Sequence, residues 1–107
     1  MSEFAKTPKP PYYAVIFTSI RTEGDNGYAK MVARMEELAR EQKGFLGTEA
    51  ARENLGITVS YWNDLESIKD WHEQAKHKLA QAEGYKTWYQ SFTTRVCKVE
   101  RDYDFQK

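Results

Sequence analysis

From residue 12 onward the chain switches between two hydrophobic periods, and each switch marks an element. Tyr12 to Arg21 (YYAVIFTSIR) is dense in aromatic and β-branched residues, which suit a pleated, half-buried surface. Its alternate positions form two rows: Tyr12, Ala14, Ile16, Thr18, Ile20 and Tyr13, Val15, Phe17, Ser19, Arg21. Both rows carry apolar groups, so the spacing predicts a strand covered on both sides. The cluster Glu23-Gly24-Asp25-Asn26-Gly27 ends it with turn chemistry. The period then becomes helical. Tyr28, Met31, Val32, Met35, Leu38 and Ala39 make one stripe, with Lys30, Arg34, Glu37 and Arg40 on other faces. Gly44 is placed to stop this helix just past its end.

The second half repeats the strand–helix–strand order. Phe45 to Glu53 (FLGTEAARE) and Gly56 to Trp62 (GITVSYW) flank Asn54-Leu55 and read as an antiparallel hairpin. Asn63 is the expected cap of the next helix, with Glu66 completing a capping box. Ile68, Trp71, Ala75, Leu79 and Ala82 form its apolar stripe, flanked by Leu65 and His72. Gly84 interrupts the pattern, Tyr85 to Gln90 adds a short helical turn, and Ser91 to Tyr103 closes the fold as a long strand. The order β-α-β-β-α-β is the ferredoxin-like α+β pattern, with both helices on one face of a four-stranded antiparallel sheet. In a monomer the other face meets water and should be polar. Here neither row is polar enough, which predicts that two sheets stack as a homodimer through the open sheet face.

Composition narrows the partners. Sixteen Lys+Arg balance sixteen Asp+Glu, which disfavours a nucleic-acid module. Aromatic residues make up 14% of the 107 residues, so rings rather than aliphatic groups dominate the core. The single cysteine, Cys97, excludes an internal disulfide and a cysteine zinc cage, and its mid-strand position suggests an inert buried thiol. Residues 1–11 hold all three prolines and read as a flexible N-terminal arm, leaving 12–107 as one domain. The first ten residues lack a signal-type apolar stretch, and the longest apolar run, Tyr12 to Phe17, falls far short of about 18–20 residues for a spanning helix. A cytoplasmic protein with neither membrane nor nucleic acid as partner is expected.

Two segments carry a family resemblance. GFLGTE (Gly44–Glu49) and GITVSYWNDLESIKDWHEQAKH (Gly56–His77) are similar to the antibiotic biosynthesis monooxygenase superfamily, in particular to a bacterial branch without an assigned activity. The likeness runs from about Tyr12 to Tyr103. Its most specific parts are the Gly-Phe-Leu-Gly turn, the Ser-Tyr-Trp strand end with its Leu-Glu-Ser-Ile helix start, and the pair His72 and His77. It implies a dimeric α+β barrel with a ligand pocket between each sheet and its own helices. It also implies a choice of chemistries: cofactor-independent oxygenation of electron-rich aromatics, haem degradation, or binding without turnover.

The candidate site residues follow from residue type and position. His72 and His77 are the only imidazoles and the candidate catalytic bases. Five residues apart, they stand about 140° apart on a continuous helix, so His77 reaches a pocket only if the helix breaks after Glu73. The alternative reading is a half-buried, hydrogen-bonded His72 and a solvated His77. Trp62, Trp71, Trp88 and Phe17 are the candidate substrate-binding residues, large rings suited to an apolar pocket or equally to ordinary core filling. Arg95 and Tyr13 offer polar ends. The first reading is a cofactor-independent monooxygenase acting on a small aromatic or quinol-like molecule. The second binds or degrades haem. In the resemblance, the haem-degrading branch carries an Asn on its first strand, which Tyr12 to Arg21 lacks, whereas Trp71 matches its helix Trp. The third is a non-catalytic small-molecule-binding dimer. A cavity of roughly 300 Å³ or more lined by Trp71, Trp88 and a histidine is the expected mark of a small-molecule role.

Overall fold

The computed structural model describes residues 4–81 and 84–107. Its elements run β1 (Tyr12–Arg21), α1 (Tyr28–Arg40), β2 (Phe45–Arg52), β3 (Gly56–Trp62), α2 (Leu65–Gln81), α3 (Gly84–Trp88) and β4 (Tyr89–Val99). The four strands form one antiparallel sheet in the order β2-β3-β1-β4, the ferredoxin-like layout. β1 is central because its two rows are both apolar enough to be covered. Ala82, the last position of the expected helical stripe, lies outside the described residues.

The register separates the rows. Tyr13 pairs with Trp62, Val15 with Ser60, Phe17 with Thr58 and Ser19 with Gly56. Across the other edge of β1, Val15 faces Val96 and Ser19 faces Phe92. This row is the helix-covered face: Trp71 of α2 stacks on Trp62, and Tyr28 of α1 meets Tyr89 edge-on. The opposite row holds Tyr12, Ala14, Ile16, Ile20, Ile57, Val59 and Tyr61. Here Ile20 and Ile57 are each 41% exposed.

The chain ends cover one end of that open face. Ala5 N–H donates to Glu49 Oε2 at 2.9 Å, while Tyr61 donates to Glu49 Oε1 at 2.6 Å. Thr7 donates to the Tyr12 hydroxyl at 3.1 Å, and Tyr12 donates to Asp102 at 2.6 Å. Tyr12 and Ala14 are buried as a result, at 4% and 5% exposure. The described part of the N-terminal arm is therefore tied to the sheet at Glu49 and Tyr12.

Local boundaries shift for identifiable reasons. The hairpin loop is Glu53-Asn54-Leu55, closed by Glu53 N–H to the Leu55 carbonyl, because Arg52 is the last residue to pair, opposite Gly56. Asp64, not Asn63, caps α2: its carboxylate accepts from Ser67 N–H at 2.7 Å, while Asn63 N–H is taken by the Gly44 carbonyl. β4 starts at Tyr89, which pairs with Arg21 across a bulge, and ends at Val99, opposite the first residue of β1. Cys97 corrects the expectation of a buried thiol. It is exposed, because β4 is an edge strand and its open-face row is uncovered.

Candidate functional site

The helix-covered face carries two aromatic clusters at opposite ends of β1. At the Tyr13 end, Phe45 meets Trp62 edge-on at 5.3 Å and Trp62 stacks on Trp71 at 6.1 Å. Trp62 is fully buried and its indole N–H donates to Ser60 at 2.9 Å. Trp71 is half-buried, and its indole N–H has no acceptor among the described residues. At the Arg21 end, Phe17 meets Tyr89 at 5.5 Å and Phe92 at 5.2 Å, and Tyr89 meets Tyr28 at 5.9 Å. Trp88 joins this cluster through its backbone: its carbonyl accepts from Arg21 Nε, and its own indole N–H donates to the Asn26 carbonyl. Eight strand positions separate the ends, roughly 26 Å of chain.

The candidate residues are thus brought together in two groups. Trp62 and Trp71 are partners, and Phe17 lies with Tyr89 near Trp88. His72 and His77 belong to neither group. Both are exposed on α2, which runs unbroken from Leu65 to Gln81, so the helix supplies no kink that would turn His77 inward. Tyr13 stands beside Trp62, whereas Arg95 pairs with Ile16 and faces the open side.

Two cavities lie elsewhere. The larger, about 470 Å³, is an open groove between the end of α1 and the start of α2, lined by polar groups including Lys43, Asp64, Asp70, Glu73 and Gln74. The smaller, about 110 Å³, sits at the sheet end beside Ser19, Leu55 and Phe92. Neither contains Trp71, Trp88 or an imidazole. Among the described residues, α1 and α2 each contribute one buried side chain, Ala39 and Ile68.

Sequence reasoning did not single out the phenols of Tyr28 and Tyr89 or the guanidiniums of Arg21 and Arg52. Burial, followed by a hydrogen bond with Tyr28, pushes the Tyr89 phenol well above its ordinary value. Arg21 sits over the Tyr28 ring at 3.6 Å. A sequence signal existed: Arg21 continues the inward row of β1. For Tyr28, the helical stripe gave the same direction.

Comparison with known proteins places this geometry. The family model described as antibiotic biosynthesis monooxygenase matches residues 11–83. The chain belongs to that family. It is 47% identical over 109 aligned residues to YqjZ of Bacillus subtilis strain 168, an uncharacterized protein, spanning 100% of this chain and 96% of the relative. Its fold is similar to that of a variant of SnoaB, a cofactor-independent oxygenase from Streptomyces nogalater, with a TM-score of 0.70 and 12% identity over 85% of this chain and 95% of that one. It is also similar to PA3566 of Pseudomonas aeruginosa, with a TM-score of 0.62 and 15% identity over 91% of this chain and 100% of that one. No helix among the described residues is long and apolar enough to cross a membrane.

Proposed function

We propose that this protein is a cofactor-independent monooxygenase that oxidises a small aromatic or quinol-like molecule between its sheet and its helices. The observation that carries the reading is the ring-lined layer under α1 and α2 in a chain of this family. SnoaB, a cofactor-independent oxygenase, shares the fold and lends support. An electron-rich ring stacks on aromatic walls. In the simplest balanced reaction, an activated CH₂ of the substrate becomes C=O. One atom of O₂ enters the product, the other leaves as water, and the substrate supplies the electrons. The protein's part is to remove water from the substrate anion, orient it, and accept its proton.

His72 and His77 suit that base by type. Both stand exposed on α2 outside the ring clusters, so either takes the proton only where the substrate reaches the helix surface, and then passes it to solvent. In this reading Phe17 and Trp88 belong to the substrate-facing wall at the Arg21 end of the layer, while Trp62 and Trp71 fasten α2 to the sheet at the other end. The working unit is a homodimer joined through the open sheet face. Two observations support the second copy: Ile20 and Ile57 stand exposed there, and the chain's surface of 8149 Å² exceeds the about 6,200 Å² of a compact monomer of this mass.

Oxygen-electrode assays with anthrone-like or quinol substrates test the proposal. Wild type should consume O₂ without added metal, flavin or haem, and His72→Ala or His77→Ala should lower the rate by about a hundredfold. Equal background uptake in all three forms leaves only a non-catalytic binding dimer.

A further inference from the structure

At the end of the helix-covered face where β1 and β2 finish and α1 begins, two cations converge on one ring. The Arg21 guanidinium carbon lies 3.6 Å from the Tyr28 ring centre, and that of Arg52 lies 5.9 Å from the same point. The two charges are therefore within about 10 Å of each other, a range over which like charges still repel across a poorly screened surface.

Among the described residues, neither guanidinium pairs with a carboxylate. Arg21 donates from Nε to the Trp88 carbonyl at 2.9 Å and from Nη2 to the carbonyls of Gly24 and Asp25 at 3.2 and 3.4 Å. Arg52 donates to the carbonyl and the hydroxyl of Ser19. Every acceptor is neutral. The Asp25 carboxylate is already committed to the N–H groups of Gly27 and Ala29. Among the described residues the one salt bridge is Arg40 with Glu36, on the far end of α1. Among the described residues, Nη1 of Arg21 and Nε of Arg52 have no acceptor.

The fold nevertheless gives Arg52, an exposed residue at the end of β2, a fixed seat. Its guanidinium lies against Gly56, where a Cβ would come within 2.1 Å of it, so the absence of a side chain at this buried position makes the slot. Ser19, 2% exposed, anchors the other end. A solvated surface arginine needs no such slot, because a long charged side chain gains entropy by staying free. Apolar rings complete the surroundings: Phe17, Phe92 and Tyr89 lie on the same face.

We propose that Arg21 and Arg52 form a clasp for the carboxylate of an aromatic acid, whose ring rests against the Phe17–Tyr89–Phe92 cluster. The planar guanidinium fork matches a carboxylate in two parallel bonds. The inference deepens the oxygenase reading, on which it rests for the class of ligand, by assigning the substrate an acidic group.

Binding measured by calorimetry separates the two. Hydroxynaphthoate and naphthol are titrated into the full chain without turnover. Wild type should bind the acid about tenfold or more tightly than the neutral phenol, and Arg52→Gln, with its fold checked by circular dichroism, should lose that preference. Equal affinities in wild type, a preference unchanged in Arg52→Gln, or phosphate binding as tight as hydroxynaphthoate overturns the clasp. A chain that prefers the acid yet consumes no oxygen keeps the clasp and ends the oxygenase reading. One that consumes oxygen without the preference does the reverse.

Discussion

The indole of Trp71 stacks on that of Trp62 with ring centres 6.1 Å apart and planes 27° from parallel, and this pair fastens α2 to the sheet. The two rings differ in burial: Trp62 is fully enclosed and Trp71 keeps one side open. Trp62→Ala should therefore cost about 3–5 kcal/mol, a large part of the about 5–15 kcal/mol that holds a small domain folded. Trp71→Ala should cost about 1–2 kcal/mol and leave a folded chain. Urea denaturation followed by circular dichroism distinguishes them, and equal costs would mean that the stack does not depend on the buried partner.

Gly44 sets how closely α2 approaches the turn before β2. Its φ is +87°, and a Cβ there would lie 2.3 Å from Ser67 Oγ and 2.8 Å from Ser67 Cβ. Backbone strain and collision act together in Gly44→Ala, which should lower the melting temperature clearly. Adding Ser67→Gly removes the collision but not the strain, so the double variant should recover part of the loss. No recovery would place the whole effect in the backbone.

Alkaline pH probes the anchor of the N-terminal arm. Burial, then the hydrogen bond to Glu49, raises the Tyr61 phenol from 10.0 to about 12. Tyr12 is raised too, by burial first and then by its bond to Asp102. A raised folded-state value means the folded chain holds the proton more tightly. That stability is complete below pH 10 and is lost as the pH climbs toward 12. Tyr61→Phe should show a flatter decline across that window in thermal melts, and a decline as steep as wild type would assign it to other phenols.

The exposed isoleucines of the open face supply a test of assembly. Stable dimers bury about 800 Å² per partner, with charge kept out of the centre. Ile57→Lys, whose site lies near the hairpin end of that face and away from both ring clusters, should turn a sedimenting dimer into a monomer at micromolar concentration. Wild type sedimenting as a monomer of 12.5 kDa removes the dimer altogether.

Much of this fold was legible in the apolar run of β1 and the stripes of α1 and α2, because a strand covered on two faces carries apolar groups in both rows and a helix buried on one face carries a stripe. The capping residue was misplaced by one position, since sequence cannot show that Asn63 N–H is spent on Gly44. The exposure of Cys97 was missed because mid-strand position says nothing about which strand is the edge. The candidate site was legible in type, not in grouping. Trp62 and Trp71 come together as neighbouring walls, whereas Trp88 ends up at the other end of β1, placed by its bonds to Arg21 and Asn26. The meeting of Arg21 with Arg52 depends on a glycine slot at Gly56 and on β1 and β2 ending at the same edge of the sheet on either side of β3, neither of which a linear pattern contains.

The central claim is that this chain transfers oxygen from O₂ to an aromatic substrate without a bound cofactor. Mass spectrometry of the product formed under heavy-isotope dioxygen in ordinary water tests it most directly. The account predicts one heavy oxygen atom per product molecule, absent when boiled protein is used. Product carrying oxygen from water alone, or labelled equally with boiled protein, would contradict it.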